Sequence, residues 1–260
     1  MTPLQEHIYQ ILEVTDRFCK EHNIPYFFTF GTVIGTLRHK GFIPWDDDAD
    51  IGMLRPDFER FLKLAATKLP ENFALQNFRM GKGIPLPLAR IVDTRARLVI
   101  PDDGSHLNRK HVYLDVFCVD NVSEHALKRR IQTACLSFVN SLFEVKYVNV
   151  PAPRWRNKML VRFARPLLPV RILLGIYDWL VAWNGQRETK MVWIIASPYH
   201  AERTVYPREW VARQRRAPFE RGEFLIPVKA ELCMEKTYGD YMTPPPPEQR
   251  VTHGMELLQE

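Results

Sequence analysis

Asp48 and Asp50, within the run Asp46-Asp47-Asp48-Ala49-Asp50-Ile51, are the residues whose types and spacing most directly suggest chemistry. Side chains two apart in a strand point to the same face, so an extended segment here stands two carboxylates side by side. Like charges this close repel unless a proton or a cation neutralises them. Hard oxygen ligands of this kind suit Mg2+ or Mn2+, which also bridge to substrate phosphates. Asp46 shares the parity but precedes the expected strand, and Asp47 faces the other way. The spacing of Asp46, Asp48 and Asp50 also invites a calcium loop. That option fails at its sixth position, Ile51 where glycine is needed, and at its twelfth, Asp57 where glutamate is needed. An isolated acidic run is usually a solvated loop; the segment in front of this one tips the reading toward a metal.

That segment is Phe30-Gly31-Thr32. A glycine–threonine turn leading from a strand into a helix aims backbone N–H groups at an approaching anion. Gly31 has no Cβ to block the approach, Thr32 adds a hydroxyl, and Arg38 and Lys40 follow as further phosphate contacts. Asp115 is the candidate third carboxylate. It is flanked by strand formers in Val112–Val116, an odd place for a charge unless it faces a site, although a strand-edge aspartate is the bland alternative. Asp120 is set aside because it follows the expected strand. Arg90, inside Leu88-Ala89-Arg90-Ile91, is either a second phosphate contact or the partner of a nearby acid. Trp45 either stacks on a nucleotide or, more often for such a residue, anchors a turn by packing. Lys229, Asp240 and His253 are rim candidates, with a surface or packing role the better reading of His253.

Apolar periodicity predicts the elements that position these groups. Residues 4–22 read as a helix, with Ile8, Ile11, Leu12 and Phe18 on one face. Tyr26–Phe30 reads as a strand, followed by a short helix through Leu37 that stops near Gly41. Ala49–Met53 is a strand, and Pro56 opens another helix. Leu86–Val92, Leu98–Ile100 and Val112–Val116 are further strands, and Ser123–Val145 is a helix with Ser123 as its cap. Residues 190–228 read as short strands and turns, Ala230–Tyr238 as a last helix, and Pro244–Pro247 as an extended tether. The fold class is therefore α+β, a mixed β-sheet flanked by helices with a helical C-terminal part. Residues 1–122 form the catalytic core and 123–260 complete the same domain.

The net charge of +6 fits an anionic partner without choosing among a nucleotide, a phosphorylated glycan, a nucleic acid and an acidic membrane. Cys19, Cys118, Cys135 and Cys233 lie too far apart for zinc spacing and read as buried or incidental thiols. With no export signal at the start, the expected location is the cytoplasm. The stretch 154–183, rich in Arg, Trp and Leu, is broken by Pro166 and Pro169 and cannot be a simple span. It reads either as helices with basic faces outward or as a part that meets the inner face of a membrane.

The run Gly31-Thr32, Gly35, Arg38 through Asp48, Asp50-Ile51 resembles the LicD family, which is related to fukutin and fukutin-related protein within the DNA polymerase beta-like nucleotidyltransferase superfamily. Phe219-Glu220, Pro227, Tyr238 through Pro245, and His253 extend the likeness into the tail. The resemblance implies a nucleotidyltransferase-like sheet with the glycine–threonine turn and the paired aspartates on adjacent strands. It implies transfer of phosphocholine, or a similar phospho-alcohol, from a CDP-linked donor to a sugar hydroxyl of a glycan or glycolipid. Gly31 and Thr32 then match the phosphate-binding turn, Asp48 and Asp50 the metal ligands, and Asp115 the third carboxylate. A nucleotidyltransferase releasing pyrophosphate is the alternative within the fold. A non-catalytic nucleic-acid-binding protein is the alternative outside it, and 203–216 offers charge for this but no stacking ladder. Oligomeric state is not legible.

Overall fold

The computed structural model describes residues 1–80, 84, 87–99, 111–147, 169–184, 187–197, 199–250, 252 and 254–258. His253, residues 154–168 of the expected membrane-facing stretch, and the strand ends Leu86 and Ile100 lie outside the described residues. The chain is mixed α/β, with a curled mixed sheet flanked by helices.

Helix α1 (Pro3–Glu21) begins with a capping box: Gln5 N–H donates to the Thr2 hydroxyl, and Thr2 N–H donates back to the Gln5 side chain. Strand β1 (Phe27–Phe28) is shorter than expected because Phe30 already takes a left-handed φ of 49° and opens helix α2 (Phe30–Ile34). One turn of π-helix, Gly35–His39, continues α2. Strand β2 (Asp50–Leu54) follows, then helix α3 (Arg55–Lys68) with Pro56 in its first turn, as expected.

Strand β3 (Phe73–Asn77) was not expected from the sequence. The two strands read at Leu86–Val92 and Leu98–Ile100 are one, β4 (Leu88–Val99). Thr94-Arg95-Ala96, which looks like a break, is an irregularity between Asp93 and Arg97 in the pairing with β5. The Asp93 carboxylate holds it by accepting from the Arg95 backbone at 3.0 Å and from its guanidinium at 2.9 Å. Strand β5 (His111–Val122) is longer than predicted and includes Asp120. Asp120 lies on the opposite face of β5 from Asp115, where its carboxylate is bound by Arg55 of α3.

Helix α4 (Ala126–Tyr147) starts three residues after Ser123. Ser123 is not its cap; the Ser123 N–H is instead satisfied by the Gln132 side chain at 3.0 Å. Then come α5 (Val170–Val181), β6 (Met191–Ile194), α6 (Ala201–Thr204), β7 (Val205–Pro207), α7 (Arg208–Val211), β8 (Gln214–Phe219), β9 (Gly222–Pro227), α8 (Ala230–Tyr238) and β10 (Glu256–Leu257).

The sheet runs β1-β2-β5-β4-β10, with β3 on β4 and with β6 and β7 continuing from β5. The β2–β5 pair is parallel, while β1–β2, β3–β4, β4–β5 and β5–β6 are antiparallel. Residues alternate across it. Ile51, Met53, Leu114, Val116, Ala89 and Ile91 are fully or almost fully buried on one side, which leaves Asp50, Asp115 and Arg90 to the other. The separate β8–β9 hairpin packs on β1: Phe28 lies 5.2 Å from both Phe219 and Phe224, ring to ring. All four cysteines are free; Cys19, Cys118 and Cys233 are buried, Cys135 is exposed, and burial pushes the Cys233 thiol up to about 12. No helix among the described residues is long and apolar enough to cross a membrane.

Phe28 is fully buried where the strand that leads into α2 meets the hairpin. Phe28→Ala is expected to cost about 3–5 kcal/mol in urea unfolding, the range for a truncated core aromatic. A loss below about 1 kcal/mol would mean that the hairpin does not rest on β1.

Candidate active site

Register brings the candidate charges abreast. Asp50 at the start of β2 pairs with Asp115 on β5, and Asp115 pairs with Arg90 on β4. Arg90 and Asp115 are each 8% exposed. Arg90 donates from Nε to Asp115 Oδ1 at 2.5 Å and from Nη2 to Oδ2 at 3.3 Å, and its guanidinium lies 4.1 Å over the Tyr113 ring. A buried ion pair of this kind is tolerated only because both oxygens and the cation's flat face find partners.

The glycine–threonine turn touches this row. Asp50 N–H donates to the Thr32 hydroxyl at 2.8 Å, and Thr29 N–H donates to the Asp50 carbonyl at 3.1 Å. Thr32 is thus buried and already serves as an acceptor, where the sequence suggested only a donor to phosphate. A Cβ on Gly31 would come within 2.9 Å of Asp46 Oδ2, so the acidic run lies directly over the turn. Asp47 accepts from Met255 N–H at 2.9 Å, and β2 opens only at Asp50, so the alternation expected of the run does not extend back through residues 46–49.

Burial raises the Asp50 carboxyl well above the ordinary aspartate range, reinforced by Asp48, then Asp115, then Asp46, while Arg90 pulls the other way. Several carboxylates thus share the reach of one guanidinium. Among the described residues, no three His, Cys, Asp or Glu side chains converge as a ready metal cage. Both oxygens of Asp115 accept from Arg90. The donor set of Asp48 and Asp50 still fits a hard cation held by two carboxylates and completed by substrate phosphates and water, a common arrangement for Mg2+.

Two residues that sequence reasoning passed over stand beside the acids. Tyr199 and Tyr238 pack edge to face at 5.1 Å, and Tyr199 meets Phe30 at 5.7 Å. Both phenols are raised chiefly by burial, and the field of Asp50 adds to it. The signal for Tyr238 was present, since it opens the Tyr238-Gly239-Asp240 run; Tyr199 follows a region with no periodicity.

The remaining candidates scatter. Arg38 donates to the Tyr241 carbonyl at 2.6 Å and to His39, whose imidazole is depressed by burial and by Arg38. Lys40 is exposed, caps the π-helical turn at φ 60°, and reaches the Leu37 carbonyl. Trp45 is held edge-on to His39, with the Arg250 guanidinium 4.3 Å over its ring. Asp240 is exposed and accepts from the Thr243 hydroxyl at 2.7 Å. Lys229 precedes α8, whose nine residues separate it by roughly 13 Å from Tyr238; it lines a different groove with Arg208 and Glu188.

The LicD/FKTN/FKRP nucleotidyltransferase-domain family matches residues 23–154, a span that takes in the turn, the aspartate run, Arg90 and Asp115. Over 256 residues, 95% of this chain and 92% of the relative, the sequence is 23% identical to the lipopolysaccharide cholinephosphotransferase LicD of Haemophilus influenzae. Two uncharacterized proteins match short stretches: one of Rickettsia typhi at 39% identity over 57 residues, and one of Rickettsia prowazekii at 42% over 50. These stretches cover 22% and 19% of this chain and 18% and 19% of the relatives.

An acid whose folded pKa is raised destabilises the fold as pH rises from its unfolded pKa, about 4, toward the folded value. Asp50→Asn removes that penalty. Without divalent cation, the variant is expected to melt above the parent near neutral pH, with the gap closing below about pH 4. Equal melting temperatures at neutral pH would sink the crowded-carboxylate account.

Proposed function

The chain belongs to the LicD/FKTN/FKRP family, and from that premise we propose that it is a phosphotransferase that moves phosphocholine, or a similar phospho-alcohol, from a CDP-linked donor to a sugar hydroxyl of a lipopolysaccharide-type glycan. The observation that carries this is the row Asp50–Asp115–Arg90 set against the glycine–threonine turn. A row of carboxylates with one guanidinium beside an anion-accepting turn suits phosphoryl transfer, where positioning and charge stabilisation are most of the catalysis. The nucleotidyltransferase-like reading of the sheet belongs to the same proposal.

Asp48 and Asp50 would hold Mg2+ or Mn2+, which when bound supplies charge neutralisation for the diphosphate and the leaving oxygen. The chain's own groups do the rest. Backbone N–H groups after Gly31 face the donor phosphates. Arg90 engages Asp115 through Nε and Nη2, which leaves Nη1 to turn toward a phosphate oxygen. The acceptor hydroxyl attacks the distal phosphorus, the new O–P bond forms as the bridging P–O bond breaks, and CMP leaves with that electron pair. Asp115 takes the hydroxyl proton. For this it must loosen from Arg90, because an ion-paired carboxylate is a weak base. Arrival of the anionic donor gives Arg90 the competing partner that loosens it.

With CDP-choline, a glycan acceptor and Mg2+, the protein is expected to release CMP, and EDTA should stop it. Asp48→Asn and Asp50→Asn should each lower the rate by about a hundredfold or more, as loss of transition-state charge stabilisation does. Pyrophosphate release from a nucleoside triphosphate would instead select the nucleotidyltransferase alternative, and full activity of either variant would remove the aspartates from the mechanism.

A further inference from the structure

Helices α4 and α5 pack on each other, and each leaves an apolar stripe in solvent. On α4, Leu127, Ile131, Ala134, Cys135 and Phe138 recur at helical spacing and are all exposed, Leu127 to 71% and Phe138 to 57%. On α5 the corresponding residues are Ile172, Ile176 and Trp179, with Trp183 just beyond; Trp179 is 63% exposed and stacks on Trp183 at 5.8 Å. The two helices are joined at these turns, where Gln132 donates to the carbonyl of Leu180 at 3.1 Å. The opposite faces already bury Leu136, Val139 and Phe143 on α4 and Leu173, Tyr177 and Leu180 on α5. Covering a sheet requires only one apolar face per helix, and a second one in water is costly unless something covers it.

Charge identifies the cover. From 126 to 171 the sequence holds ten Lys and Arg against the single acid Glu144, a net +9 in a chain whose total is +6, so the remainder is net −3. Lys128 and Arg130 on α4 and Arg171 on α5 are exposed beside the stripes, whereas Asp178 is tied to Arg79 at 2.7 Å. A second copy of the same face would bring like charges together. Tryptophan pairs and long basic side chains around an apolar surface match the headgroup boundary of a bilayer that carries anionic lipid.

We infer that the α4–α5 face docks on an anionic lipid surface, lying in the interface without crossing it. The inference stands on this surface alone and holds whichever reaction the site performs.

The test is flotation of the full chain, without donor, with vesicles of phosphatidylcholine containing about a third phosphatidylglycerol and with phosphatidylcholine alone. Binding to the anionic vesicles that weakens with salt is expected. The double variant Phe138→Glu, Trp179→Glu should bind about tenfold less or weaker still, since it places two charges in the boundary. Its melting temperature and its CMP release in vesicle-free buffer should match the parent. The inference is overturned if the parent does not float, if the variant floats equally well, or if the parent is a dimer in solution that the variant breaks. Vesicle binding as expected with no CMP release from either protein would sink the proposed reaction and leave this inference standing.

Discussion

The site depends on one electrostatic constraint: carboxylates gathered around the buried guanidinium of Arg90. Pairing register enforces it. Once β2 lies parallel to β5 with Asp50 opposite Asp115, and β4 lies antiparallel with Arg90 opposite Asp115, the three side chains share one face whatever their charges prefer. Arg90 satisfies Asp115, and among the described residues no second guanidinium does the same for Asp50, whose carboxyl is raised by burial and by the neighbouring acids. The apolar packing on the sheet's other face maintains this unfavourable arrangement, which the proposed cation and donor phosphate would relieve together.

The C-terminal half keeps the entry loop in place. Glu220 sits at the β8–β9 turn with a left-handed φ of 52°, its N–H donates to the Lys40 carbonyl at 2.7 Å, and its carboxylate accepts from Phe42 N–H at 2.9 Å. A Cβ at Gly41 would overlap that carboxylate, so a larger residue there would have to push the Glu220 side chain off Phe42 N–H. Arg38 ties the same loop to Tyr241, and Asp47 ties the aspartate run to Met255. The loop between turn and aspartates is therefore fixed at three points by residues roughly two hundred positions away in sequence, closing loops whose entropy the buried contacts must offset.

Local chemistry was legible in the sequence and distant partnership was not. Pro56 marked the first turn of α3, and Ala230–Tyr238 was read with its observed ends. Strand formers around Asp115 gave away its burial. The polar interruption at 94–96 was misread as a strand break because an irregularity stabilised by an Asp93–Arg95 bond looks like a turn in one dimension. β3 was missed although Phe73, Leu75 and Asn77 alternate with Ala74 and Gln76, since five residues carry too weak a period against the flanking loop. The Arg90–Asp115 pair was offered only as one of two equal readings, because which acid faces which base is a matter of register between strands, and no single segment encodes it.

That pairing also changes what each residue contributes to the proposed reaction. Read from the sequence, Asp115 was open as a metal ligand, a proton acceptor or both, and Arg90 as a phosphate contact or the partner of a nearby acid. In the structure Arg90 binds both oxygens of Asp115, so in the proposed mechanism a cation would draw mainly on Asp48 and Asp50, and Asp115 would accept a proton only once Arg90 finds another anion. On this reading, donor binding and base activation are one event: the phosphates that draw Nη1 weaken the hold of Nε and Nη2 on Asp115.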